Sequence, residues 1–354
     1  MEFGISYPAR PDAWKDLVIA EDHGFTHAWF YDSQMIYSDV YACMALAAEH
    51  TKTIKLATGV AIPSNRIAPV TAHSIATINQ LAPGRAILGI GTGFTGRNTM
   101  GLPPVSLGTV REYVQMCRAL LRGEEVRYRE GSRERWIKFL HPNHGYINLK
   151  DPIPIYLAAN GPKALELTGE LADGWLTTLS DPASFAKNLS RVKQGAAKAG
   201  RTLTRFPATV LSTGCVLRSG ESITSPRVVE RVGPLAIVAL HALWERSAVA
   251  SDLPVSLQQL YDRYDKEYVT KMQTPVDRRY LEVHEGHLIY LKPGEEHYVN
   301  ESLVRGFSLT GTGAEIIARL KALEAVGLEQ ITLQVVNNGP EMIEEFSREV
   351  IAKY

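Results

Sequence analysis

Short apolar runs that alternate with helical stretches of about 10–15 residues set the tightest limit on what this chain can fold into. Runs at 2–7 (EFGISY), 26–31 (THAWFY), 54–62 (IKLATGVAI) and 86–91 (AILGIG) read as strands. So do 153–159 (IPIYLAA), 174–178 (GWLTT), 208–218 (ATVLSTGCVLR) and 330–336 (QITLQVV). Helices are expected at 11–24, 39–51, 68–82, about 107–123, 162–171, 183–199 and 340–352, the first closed by Gly24. Strands separated by helices of this length make βαβ units and a parallel sheet. The runs are continuously apolar, as strands covered on both faces must be. Eight of them fit a closed barrel better than an open sheet. The expected fold class is α/β, a single parallel (β/α)8, or TIM, barrel over 1–354.

Two stretches depart from the rhythm. Residues 124–151 mix charge, aromatics and histidine, and read as a loop or hairpin excursion. Residues 219–308 form a long insertion with helical patterns at 228–249 and 257–272, and no clear period over 278–291. An insertion of this length serves either as a substrate lid or wall, or as a packing or dimer-contact elaboration. Both readings stay open on sequence.

Composition narrows the function. Lys plus Arg and Asp plus Glu both total 38, so net charge is zero and the basic excess of a nucleic-acid binder is missing. Cys43, Cys117 and Cys215 form no CxxC pair, which argues against a disulfide framework or zinc knuckle. No apolar run approaches the ~20 residues of a membrane helix. The start of the chain lacks a basic segment followed by an apolar one. A soluble cytoplasmic protein with a small-molecule substrate is expected.

A parallel barrel carries its ligands at the strand C-termini. Polar and glycine residues gather there: Asp32 to Gln34, Pro63 to Arg66, the run GIGTGFTGRN (89–98), ANGPK (159–163), and Thr177-Thr178. The 89–98 loop offers backbone N–H groups that can cradle a phosphate, or is a tight turn. It is a poor dinucleotide fingerprint, because no helix is expected to open at once. Gly161-Pro162 opens a helix whose free N–H groups suit an anion, with Lys163 beside it; simple capping explains it equally well. Asp32 is either a proton acceptor or a helix N-cap. Trp29, Phe30 and Tyr31 read as barrel core. The pairs HPNH (141–144) and HEGH (284–287) show no third partner, so no metal site is assigned. No Gly-x-Ser-x-Gly elbow is present.

The stretch LATGVAIPSNRIAPVTAHSIATINQLAPGRAILGIGTG (56–93) strongly resembles the third and fourth βα units of luciferase-like monooxygenases. IPIYLAANGPKALELTGELADGWLT (153–177) and GTGAEIIARLKALEAVGLEQITLQV (311–335) resemble later units of the same family. The resemblance implies a barrel that binds FMN or the deazaflavin coenzyme F-420, closest to the methylenetetrahydromethanopterin-reductase-like branch. By position it implies that Asp32 is the acidic residue near the reactive ring, and that Gly59-Val60 is a non-prolyl cis peptide against it. Thr92, Gly93, Arg97 and Asn98 match one side of the cofactor tail site, while Asn160, Gly161, Pro162 and Lys163 match the other; Asn65 joins the cofactor set. Phe94 stands where some deazaflavin members carry a proton-donating Glu, and Ser33 where some relatives carry His. The leading expectation is a two-component monooxygenase using reduced FMN, oxygen and a separate flavin reductase. The alternative is a deazaflavin-dependent reductase or dehydrogenase without oxygen chemistry. A homodimer is expected, with the Ala-rich helices at 39–51 and 68–82 as candidate contacts.

Overall fold

The computed structural model describes residues 1–245 and 254–354. Eight parallel strands close into a barrel. They are β1 (Glu2–Pro8), β2 (His27–Tyr31), β3 (Lys55–Thr58), β4 (Ala86–Ile90), β5 (Ile155–Ala158), β6 (Gly174–Thr178), β7 (Ala208–Ser212) and β8 (Gln330–Gln334). The closing seam pairs β1 with β8, Glu2 against Gln330 and Ser6 against Gln334. Eight helices cover the outside: α1 (Trp14–Asp22), α2 (Val40–His50), α3 (Ala68–Leu81), α4 (Leu107–Leu121), α5 (Pro162–Leu171), α6 (Pro182–Lys198), α7 (Gly313–Glu324) and α8 (Gly339–Glu349). The strand–helix alternation read from the apolar runs is therefore the architecture itself.

Local chemistry sets the helix starts. Asp39, Ser106 and Asp181 each accept a backbone N–H from the first turn of α2, α4 and α6. Thr312 and Glu315 form a reciprocal capping box on α7. Strand side chains alternate between two cores. Phe30 packs outward with the helices, whereas Trp29 joins Ala57, Ile87, Tyr156 and Leu176 inside the barrel. The interior is thus filled below its mouth. The three cysteines are buried and unpaired.

The structure revises several boundaries. The run 54–62 stops being a strand after Thr58, where a cis Gly59–Val60 bond bulges the chain. The run 208–218 splits: β7 ends at Ser212, and Gly214–Val216 leaves the barrel to pair with Leu309–Gly311. Apolarity alone does not mark that switch. The excursion at 124–151 contains an antiparallel hairpin, Val126–Glu130 with Arg133–Ile137. The insertion lies between β7 and α7, so it is an enlarged loop on the face where the strands end. Its helices include Pro226–Ala236, Val238–Glu245, Val255–Glu267 and Arg279–Val283. The expected single helix at 228–249 breaks after Ala236, just past the internal Pro234, and its residues 246–249 lie outside the described residues. The insertion has its own core, with Val228, Val232, Leu240, Tyr264, Val283 and Val304 buried together.

Among the described residues no helix is long and apolar enough to cross a membrane.

Candidate active site

The strand ends enclose a cavity of about 410 Å³, a size typical of small-molecule sites. Its floor and sides come from the barrel: Tyr31, Gly59, Val60, Gly91, Thr92 and Asn160. Its roof comes from the insertion: Leu235, Val238, Ala242, His287, Leu288 and Phe307. No lysine or arginine belongs to this wall among the described residues.

The floor is shaped by backbone. Gly59 N–H donates to Phe30 O at 2.6 Å, and Ala61 N–H to Gly89 O at 2.8 Å. These bonds hold the inward bulge of β3. The glycines of the GIG run make room for it: a Cβ on Gly89 would lie 2.1 Å from Thr58 O, and one on Gly91 would lie 2.6 Å from Val60 Cγ2. Gly93 adopts φ 81° and starts a short helix, Phe94–Asn98. The expectation that no helix opens directly after this loop is therefore corrected. On the opposite side Thr177 Oγ1 donates to Asn160 Oδ1 at 2.6 Å and fixes that amide. Helix α5 begins at Pro162 with no side-chain cap, and Gly161, Pro162 and Lys163 are exposed, so its first turn is open to solvent.

A second, polar cleft lies alongside, lined by Asp32, Asn65, Arg66 and Arg97 among others. Asp32 is buried, and Arg66 Nη1 donates to both its oxygens at 2.9 and 2.8 Å. Arg66 also reaches Asp39 at 2.5 Å, and Asn65 Nδ2 donates to Asp32 O at 3.0 Å. Burial lifts the Asp32 carboxyl to about 6, and Arg66 opposes that rise. The N-cap alternative for this residue is not realised; Asp39 caps α2 instead.

The candidate residues thus divide. Gly59, Val60, Thr92, Gly93 and Asn160 meet in the cavity wall. Asp32 sits between wall residues Tyr31 and Ser33, with its carboxylate on the polar cleft. Arg97 departs from the expected tail site: it lines the cleft, and its Nε donates to Pro103 O. Asn98 is buried and lines neither space. Gly161, Pro162 and Lys163 are exposed at the α5 N-terminus. The sequence offered the insertion as a lid or wall but did not name its cavity residues, because Leu235, Val238, Ala242 and Phe307 are ordinary apolar helix positions with no motif. It also missed that His284 and His287 meet a third imidazole, His241; forty residues of intervening chain hide that convergence.

A closed parallel barrel with an apolar cavity at its strand ends, and a loop-built roof over it, defines a barrel enzyme whose chemistry sits on that face. The chain belongs to the luciferase-like monooxygenase family, whose sequence model matches residues 1–330, and it is an oxidoreductase of that family. It is 38% identical over 206 residues to a 5,10-methylenetetrahydromethanopterin reductase of Methanolobus tindarius, a match covering 57% of this chain and 61% of that protein, less than two thirds of its length. It is 28% identical over 360 residues to an F420-dependent glucose-6-phosphate dehydrogenase of Nakamurella multipartita, covering 92% and 98%. In structure it matches the coenzyme F420 dependent tetrahydromethanopterin reductase of Methanopyrus kandleri, with TM-score 0.72 and 23% identity over 100% of this chain and 99% of that one. These relatives overturn the leading expectation of an FMN- and oxygen-using monooxygenase: reductases and F420-dependent dehydrogenases stand where that reading needed oxygenases. The misstep was physical. Solved monooxygenases and F420-dependent enzymes both match this barrel fold, so the fold does not separate the two chemistries.

Proposed function

We propose that the chain is a deazaflavin (F-420)-dependent reductase or dehydrogenase that moves a hydride to or from a neutral, largely apolar small molecule. One observation carries this reading beyond the relatives' names: the cavity couples a family-type floor to a roof of Leu235, Val238, Ala242 and Phe307, with no cationic side chain in the wall among the described residues. An apolar wall suits an uncharged carbonyl, imine or alcohol and disfavours a sugar phosphate.

The residues fit the coenzyme. The bulge at Gly59-Val60 would back its ring, while Thr92 and Gly93 on one side and Asn160 with the uncapped α5 N-terminus on the other would meet its anionic tail, aided by Lys163. The bound coenzyme supplies the hydride carrier; the protein orients it, excludes water and handles the proton. Burial lifts the Asp32 carboxyl to about 6 against the pull of Arg66, which suits proton transfer near neutral pH, and its backbone lies between wall residues Tyr31 and Ser33. The insertion acts as the substrate wall.

Side-by-side titration of the purified protein with F-420 and FMN tests this, followed by screening of neutral carbonyl compounds for F-420 oxidation or reduction. Tight binding of F-420 with turnover supports the reading; tight binding of FMN with none of F-420 sinks it.

The cavity floor makes a further prediction. Gly91→Ala places a methyl group against Val60, so either Val60 or the ring must move. Overpacking of this kind costs about 1–3 kcal/mol, so the F-420 dissociation constant should rise by roughly 5- to 150-fold. An unchanged constant would show that the ring lies elsewhere.

A homodimer is proposed through α2 and α3. Leu46, Ile67, Val70 and Leu81 on or beside these helices are exposed apolar residues, Ile67 at 52%. Sedimentation should show a dimer, and Leu46→Glu with Val70→Glu should give a monomer that keeps its folded circular dichroism, with its unfolding midpoint no longer dependent on concentration. A wild-type monomer at micromolar concentration would refute this.

A further inference from the structure

We propose that His241, His284 and His287 form a binding site for a divalent transition-metal cation in the seam between the insertion and the barrel mouth. One ring nitrogen from each lies within 4.8 Å of the others, and all three residues are buried. His241 comes from the helix Val238–Glu245; His284 and His287 come from the turn after Arg279–Val283. Gly286 makes that turn possible, with φ 72° and room for no Cβ beside Tyr290 O.

The far nitrogens are all engaged. His241 Nε2 lies 3.0 Å from Glu295 Oε1, and His284 Nε2 lies 2.8 Å from Glu245 Oε1. His287 Nε2 lies 3.1 Å from Thr95 Oγ1. A carboxylate accepts only from an N–H, so His241 and His284, when neutral, carry their proton on Nε2 and present a lone pair at Nδ1. His241 Nδ1 is buried with no partner. The Nδ1 atoms of His284 and His287 stand 3.4 Å apart, where one proton at most can lie between them. Imidazoles backed by carboxylates are the usual outer shell of a metal site.

The dimensions and charge agree. Metal–nitrogen bonds of about 2.0–2.1 Å put tetrahedral nitrogens about 3.3 Å apart, close to the 3.4 Å between His284 and His287, and the His241 nitrogen lies within 4.8 Å of both. Among the described residues Glu295 pairs with the Lys292 ammonium at 2.9 Å, while Glu245 pairs with no lysine or arginine. That leaves a net negative surround for a dication to offset. Imidazole nitrogens select zinc, cobalt, nickel, iron or copper over magnesium or calcium. Three protein ligands leave a fourth position for water or another exchangeable group.

Placement suggests the effect of binding. Tyr37 OH donates to His287 O at 3.0 Å, and Gln334 Nε2 donates to Leu288 O at 2.6 Å. His287 also lines the cavity. A cation here fastens the roof to the barrel.

The test uses the full chain, stripped with chelator and titrated with Co²⁺ under visible absorption, then with Zn²⁺ as competitor. One equivalent of Co²⁺ should give intense tetrahedral-type bands that Zn²⁺ abolishes. Glu295→Gln should weaken binding by about 10- to 100-fold; His241→Gln and His287→Gln should weaken it further, and replacing the exposed His141 and His144 should not. Absence of the bands in the wild-type chain overturns the site, as does binding that survives both His241→Gln and His287→Gln.

Discussion

Asp32→Asn is expected to lower kcat for hydride transfer by about 10²- to 10⁴-fold, the usual contribution of a positioned acid or base. The side chain keeps its size and its place beside Arg66, and Arg66 keeps its second partner, Asp39. What is lost is a titrating group whose carboxyl is lifted to about 6, first by burial. In the direction that removes hydride and a proton from substrate, Asp32 accepts the proton and must be ionised. The wild-type rate should then rise with pH and level off above about 6. In the reverse direction the protonated form is needed, and the rate should fall above the same value. Stability should not follow the activity. A carboxyl raised above its ordinary value of 3.8 binds its proton more tightly in the folded chain. Its contribution therefore favours folding as pH falls through about 6 and opposes it above, so Asn should not destabilise the protein at neutral pH. Steady-state rates across pH with F-420, alongside thermal unfolding, separate the two effects. A variant that unfolds early yet keeps both its rate per folded molecule and its pH inflection would assign Asp32 to structure alone.

The barrel was legible because each unit carries its own signal. The run 26–31, for example, is apolar, β-branched or aromatic in pattern, ends in a polar triplet and is followed by a helix with an Asp39 cap. The floor was legible for a different reason. A Cβ on Gly89, Gly91 or Gly93 would come within 2.1, 2.6 or 2.5 Å of a neighbour, so a side chain there forces the floor to shift, while Gly59 is the milder case at 3.1 Å from Trp29 Cβ. The roof's cavity residues were not legible. Leu235, Val238 and Phe307 look like any buried helix residues until the fold aims them at the cavity. Arg97 misled for a related reason: a cation in a glycine loop suggests an anion partner, but the short helix turns it to the polar cleft. His241 needed the insertion's own core before it could meet His284 and His287.

How firmly that roof is held is itself testable, because its anchor to the barrel is ionic. Glu345 on α8 is buried and accepts from Arg231 Nη1 at 2.6 Å and from Arg227 Nη1 at 3.2 Å, both on the insertion helix Pro226–Ala236. Arg231 is buried more deeply still, with 6% of its side chain exposed. Glu345→Gln leaves that guanidinium with one carboxylate partner among the described residues, the half-exposed Glu341, 3.4 Å away. Arg227 retains Glu221. Breaking a buried pair from one side costs about 3–5 kcal/mol, and the remaining partners place this case near the lower end, at about 3 kcal/mol. Urea unfolding should show the loss, and limited proteolysis should cut first within 219–308. Because the same insertion supplies the cavity roof, substrate KM should rise while F-420 binding to the barrel floor changes little. Replacing both partners, Arg231→Met with Glu345→Leu, should recover most of the stability, since removing a whole buried pair is far less costly than orphaning one charge. A Glu345→Gln chain with wild-type unfolding and an equally resistant insertion would show that apolar packing, not this ion pair, holds the roof over the cavity.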